Sequence, residues 1–170
     1  VDNYNQDHYQ MHFSQRLSDV LTFNTALHYT YGRGYYEEYR YDEEIAGYGL
    51  NNPIMDDDGV PEDNDTISST DLIRRRWLDN DFYGLTYSLS YEKEKLNMIL
   101  GGAWNRYDGD HFGEILWSEV TIAPIAYRYY FNNGDKRDFN VFLKAGYQFN
   151  ENINAFADLQ YRALDYTRAD

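Results

Sequence analysis

The stretch DGDHFGE places Asp108, Asp110, His111 and Glu114 close together, and carboxylates with an imidazole are ordinary metal ligands. Their spacing departs from the calcium-loop pattern. Asp108 and Asp110 therefore stand as weak metal candidates beside a plainer reading, an exposed polar loop at the top of a hairpin. DDDGVPEDND, residues 56–65, concentrates acids around Gly59 and Pro61. A solvated loop tip is its simplest reading, with weak calcium coordination by Asp56, Asp57 and Asp58 as the secondary one. No other cofactor is expected. RRRW, residues 74–77, could hold an anionic head group or substrate through arginine's forked donors; pairing with Asp71, Asp79 and Asp81 is the blander alternative. Aromatics interleave with charge in YYEEYRY (35–41) and YRYY (127–130). Flat rings can stack on a sugar or an aromatic ligand, which makes Tyr35, Tyr36, Tyr39, Tyr129 and Tyr130, with Trp77 and Trp117, the candidate ligand contacts. Interface or loop packing would use the same rings equally well. No Ser-His-Asp set, phosphate-binding glycine loop or pair of catalytic carboxylates stands out, and GRG at 32–34 is too short for a nucleotide fingerprint. No enzyme is expected.

These side chains sit on a chain of 170 residues with 29 acidic and 15 basic residues, a formal net charge of −14. That balance argues against a nucleic-acid partner, which needs clustered Lys and Arg. There is no cysteine, so disulfides, thiolate metal sites and thiol nucleophiles are excluded. No apolar run reaches the ~18 residues of a membrane helix, but a transmembrane β-strand needs no such run, since half of it faces a polar lumen. The N-terminal VDNYNQDHYQ lacks a signal-peptide pattern.

The elements that must carry the candidates read as strands. Phe139, Val141, Leu143, Ala145 and Tyr147 alternate with Asn140, Phe142, Lys144, Gly146 and Gln148, the period of a strand with one apolar and one polar face. The pattern recurs in hairpins at about 6–32, 81–107 and 138–167, with short turns near 17–20, 92–95 and 149–153. The expectation is an all-β, antiparallel up-and-down meander of about six strands, its hairpins joined by two long loops, about 33–80 and 107–137. The first of these, counted from residue 34, holds 13 acids against 4 arginines, and its tip at 56–66 is expected to be the most mobile part of the chain. Soluble domains seldom carry such connections; outer-membrane barrels pair short periplasmic turns with long extracellular loops. Tyr9, Tyr29, Tyr31, Tyr83, Tyr91, Trp104 and Tyr161 fall towards strand ends, where a barrel places its aromatic girdles. Alternation alone does not say whether the apolar face meets lipid or a core, and a soluble sandwich has the same period.

The words of two segments add to the rhythm. GLTYSLSYEKEKLNMILGGAWNRYDGDHFGEILW (84–117) and DFNVFLKAGYQFNENINAFADLQYR (138–162) resemble barrel strands of TonB-dependent outer-membrane receptors. The resemblance implies energy-coupled import of a siderophore, vitamin or glycan across the outer membrane of a Gram-negative cell. It implies a separate plug domain, and a barrel of about 22 strands of which this chain would be an internal fragment. Its partners would be membrane lipid, the plug, the remaining barrel strands and a small-molecule or glycan ligand, and the isolated piece would self-associate. Neither a plug nor a TonB-box peptide is visible, and ALDYTRAD at the C-terminus lacks the aromatic end of a last barrel strand. The alternatives are a complete small outer-membrane barrel with a structural or adhesive role, which needs at least about eight strands, and a soluble β-rich ligand-binding domain.

Overall fold

A computed structural model describes residues 1–53 and 66–169. Six antiparallel strands form one sheet in chain order: β1 (Asp2–Arg16), β2 (Leu21–Glu44), β3 (Ser69–Lys93), β4 (Leu96–Ser118), β5 (Tyr127–Gln148) and β6 (Asn154–Ala169). The expected meander is what forms. β1 and β6 are the edges, and the sheet is not closed. A single 3-10 turn, η1 (Ile45–Tyr48), follows β2.

The strands run well past the expected hairpin boundaries. Residues 33–44 and 69–80 are ladder, not loop, with Arg33 opposite Asp79 and Tyr36 opposite Arg76. Likewise β4 and β5 continue through most of 107–137, leaving 119–126 as their connection. The reason is visible in the pairs. Here the cross-strand partners are ionic and aromatic, as in Arg75–Glu37 at 2.7 Å and Tyr35–Trp77 with ring centroids 4.8 Å apart. Such pairs stabilise a ladder as aliphatic ones do, but they leave no apolar alternation to read.

Register sorts the side chains into two faces. One face is apolar over the half of the sheet nearer the short turns. A row crosses it through Phe23, Leu89, Leu100, Leu143 and Leu159, and another through Met11, Leu27, Leu85, Trp104, Phe139 and Ala163. The belt ends abruptly. Tyr9, Tyr29 and Tyr83 close it on β1–β3, level with Arg106, Arg137 and Asp165 on β4–β6, and the next row holds Asp7, Tyr31, Asp81, Asp108, Asp135 and Thr167. The boundary thus steps down by one row between β3 and β4, the slant that a plane makes across tilted strands.

At the same height the other face is polar. Ser14 Oγ donates to Asn24 Oδ1 at 2.7 Å, a His8 ring nitrogen meets Thr30 Oγ1 at 3.0 Å, and Arg162 pairs with Asp138. Neither face has a conventional core. The buried apolar cluster of Tyr48, Leu72 and Ile115 sits at the far, loop-side end, where η1 folds back on the sheet. On the belt, Met11 and Leu159 remain 60% and 70% exposed.

Candidate ligand-binding groove

The groove lies on the polar face, in the upper half of the sheet above the belt. It has a volume of about 880 Å³. Tyr4, Tyr36, Arg76, His111, Tyr130 and Tyr166 are among the residues that line it. Alternation places them: Tyr36, Arg76 and Tyr130 share the polar face through the pairs Tyr36–Arg76, Arg76–Gly113 and Gly113–Tyr130. Gly113 has a steric role. A Cβ there would collide with the rings of both Tyr129 and Tyr130, so its missing side chain is the space the two tyrosines occupy.

Regular alternation would send Tyr129 and Tyr130 to opposite faces. The β4–β5 register shifts between Gly113 and Glu114, leaving Tyr129 as the extra residue opposite them. A bulge of this kind re-aims a side chain. Tyr129 accordingly packs at 4.8 Å from the Tyr48 ring and 5.0 Å from Tyr130, and meets Arg76 Nε at 3.4 Å.

Two arginines of the RRRW stretch share this face but have different company. Arg74 is largely buried and donates to Glu38 at 2.7 Å and to the Tyr48 hydroxyl at 3.0 Å, with Glu43 at 3.7 Å. Tyr48 in turn donates to Glu43 at 2.7 Å. Burial and that hydrogen bond push the Tyr48 phenol up to about 12. Burial works against ionisation of Glu43, yet the hydrogen bonds from Tyr48 and Arg40 and the charges of Arg40 and Arg74 hold its carboxyl below the usual range. Arg76 has phenols instead: Nη1 donates to Tyr36 at 2.8 Å, Nε to Tyr129 at 3.4 Å. Among the described residues no carboxylate pairs with Arg76.

The other expected contacts point elsewhere. Tyr35 and Trp77 border the groove, but their rings stack on the opposite face, above the belt, in a series that continues to Phe112 at 5.8 Å. Arg75 covers Tyr35 at 4.0 Å, Arg128 covers Phe112 at 4.1 Å, and Trp77 Nε1 donates to Glu114 at 2.8 Å. Tyr39, on the same face, donates to Asp71, and Trp117 stands half-exposed opposite Ile73. Three of the seven candidates, Tyr36, Tyr129 and Tyr130, come together around Arg76; the other four do not.

Asp108 and Asp110 share the side-chain amide of Asn133, at 2.7 and 2.8 Å, and Arg106 lies 3.3 Å from Asp108. His111 points to the other face, into the groove. Among the described residues no three His, Asp or Glu side chains converge as a metal-binding set. Asp56, Asp57 and Asp58, and the expected mobile tip, lie outside the described residues except for Thr66.

Sequence reasoning did not select Tyr4, His111 or Tyr166 as groove residues. For Tyr4 a signal existed: Gly32 and Gly34, opposite it on β2, leave open the space its ring occupies. For the others the register between distant strands had to be known first. No family model matches the chain, and no curated protein and no solved structure matches it.

Proposed function

We propose that the chain is part of the barrel wall of a TonB-dependent outer-membrane receptor, serving energy-coupled import of a siderophore, vitamin or glycan. The observation that carries this reading is the exposed apolar belt with its sharp upper edge. A soluble sandwich would cover such a face with a second layer; here Met11, Phe13, Leu27, Leu100 and Leu159 are all more than 40% exposed. From Tyr83 to Tyr91 the belt spans eight steps of ~3.4 Å, about 27 Å of strand, which at a barrel strand's ~35–45° tilt rises about 20 Å, most of the ~25 Å apolar band of outer-membrane barrels. Aromatic rings at its rim and charges beyond it fit the step from hydrocarbon through interface to water. The open edges of β1 and β6 would be paired by the remaining barrel strands, and the resemblance of residues 84–117 and 138–162 selects the receptor family among barrels.

In this reading the polar face is the lumen wall, the plug does the gating, and the extended upper strands meet the ligand. Phase partition tests the membrane assignment. The expressed chain should follow detergent out of buffer. A monodisperse, detergent-free monomer by light scattering would favour the soluble-domain alternative instead.

A further inference from the structure

Arg76 differs from the arginine two residues before it in what its charge meets. Arg74 is enclosed by Glu38, Glu43 and Tyr48. The described partners of Arg76 are two neutral phenols, Tyr36 and Tyr129. A guanidinium carries five N–H donors, and these two bonds engage Nε and one hydrogen of Nη1. Nη2 keeps both of its hydrogens without a described partner, and a guanidinium's planar donors suit a carboxylate. Phenol oxygens hold the side chain in place without cancelling its charge, and their hydrogen bonds, that of Tyr129 foremost, strengthen its preference for the cationic form. Arg76 borders a groove of about 880 Å³, large enough for a small ligand. Tyr36 and Tyr130 line it with aromatic rings and His111 adds ring nitrogens, and among the described residues Asp2 is the one lining acid.

We propose that the groove binds a ligand bearing a carboxylate on a flat ring, the carboxylate seated on the Nη2 side of the Arg76 guanidinium and the ring against Tyr36 and Tyr130. The inference rests on the reading above that the polar face is the ligand-facing lumen wall. Tyr36 and Tyr129 are positioning residues for the guanidinium; Tyr36 also supplies stacking surface. Lysine could not substitute for Arg76, because a point charge lacks the paired donors.

The test uses the whole chain in lipid-containing micelles and two probes of the same shape, 4-hydroxybenzoate and its neutral amide, with binding followed by ligand-detected NMR. The acid should bind at least about tenfold more tightly than the amide, a difference of ~1.4 kcal/mol. Arg76→Gln should reduce the acid to the level of the amide, while Arg128→Gln, on the opposite face, should leave both unchanged. Equal binding of acid and amide to the unaltered protein would overturn the proposal, and so would undiminished acid binding by an Arg76→Gln variant with an intact β-sheet spectrum. If that variant does not fold, the comparison of acid and amide on the unaltered protein decides alone. Brominated-lipid quenching of Trp104, in a Trp77→Phe/Trp117→Phe variant in the same micelles, separates the groove assignment from the barrel reading. Quenching without acid preference removes the groove assignment only, whereas no quenching removes the barrel reading beneath it.

Discussion

Leu143 and Lys144 are neighbours on β5 at one height in the sheet, yet they face different surroundings. Around Leu143 the cross-strand partners are Leu100 and Leu159, with no polar side chain in the row from Phe23 onward. Lys144 faces Asp158 at 3.6 Å across the next strand. The same contrast appears along the apolar face itself. Ion pairs are absent from its lower rows and begin immediately above the tyrosines, with Arg33–Asp79 at 3.3 Å and Arg106 beside Asp108 and Asp135. Exposure alone does not separate these regions, since Leu159 and the residues of β6 on either side of it are all exposed. The distribution of charge does. Charges are tolerated at every height on the polar face, and on the other only above the rim and at the turn end, where Lys93 stands opposite Leu96, as expected where one face meets hydrocarbon and the other water.

Breaking the contrast should be most costly where it is sharpest. Leu143→Arg places a cation in the middle of the apolar belt and should destabilise the folded sheet by roughly 2–4 kcal/mol in a lipid refolding titration. Gln160→Arg, beside it on the polar face, should cost far less, and equal losses at the two sites would dissolve the distinction between the faces. Next in size is Arg74→Gln in the upper half. It leaves Glu38 partly buried without its cation, while Glu43 keeps Arg40, a loss of about 2 kcal/mol. Faster amide exchange should follow in 38–48 while the belt strands stay protected.

A pH titration sharpens the comparison further. The Tyr48 phenol has its folded value raised to about 12 from 10.0. Its contribution should therefore be complete below pH 10 and disappear as pH rises through about 12. The stability difference between the unaltered protein and Tyr48→Phe should be constant at neutral pH and shrink across that window; a difference that grew there would reverse the sign. Smallest of all is Arg162→Gln. Its pair with Asp138 is exposed on the polar face, and exposed pairs contribute little. Chemical denaturation should barely register its loss.

Much of the belt was legible in the sequence because its physics is one-dimensional. Leu85, Tyr87 and Leu89 alternate with Thr86 and Ser88, so period, strand length and short turns could be read before any pairing was known. Above the rim both faces carry polar and charged side chains, and the alternation of Arg74, Arg75 and Arg76 is between two polar environments. The sequence therefore reads as loop where the chain is still ladder. The groove was legible only in part. Its tyrosines announce themselves by composition, but which of them meet depends on the Tyr129 bulge and on the register that sets Tyr36 beside Arg76. Neither is encoded in local spacing. His111 illustrates the same limit: grouped with Asp108 and Asp110 along the chain, it is separated from them by the alternation of β4.

The central claim is that the apolar face of the lower sheet meets lipid, and Trp104 reports on it directly. It lies in the last apolar row of β4, opposite Phe139, and is 37% exposed. With Trp77 and Trp117 replaced by Phe, Trp104 becomes the sole tryptophan. After refolding into vesicles, its emission should be strongly quenched by lipids brominated along their acyl chains and weakly by aqueous iodide. Strong iodide quenching with indifference to the brominated lipids would place this face in water and contradict the account.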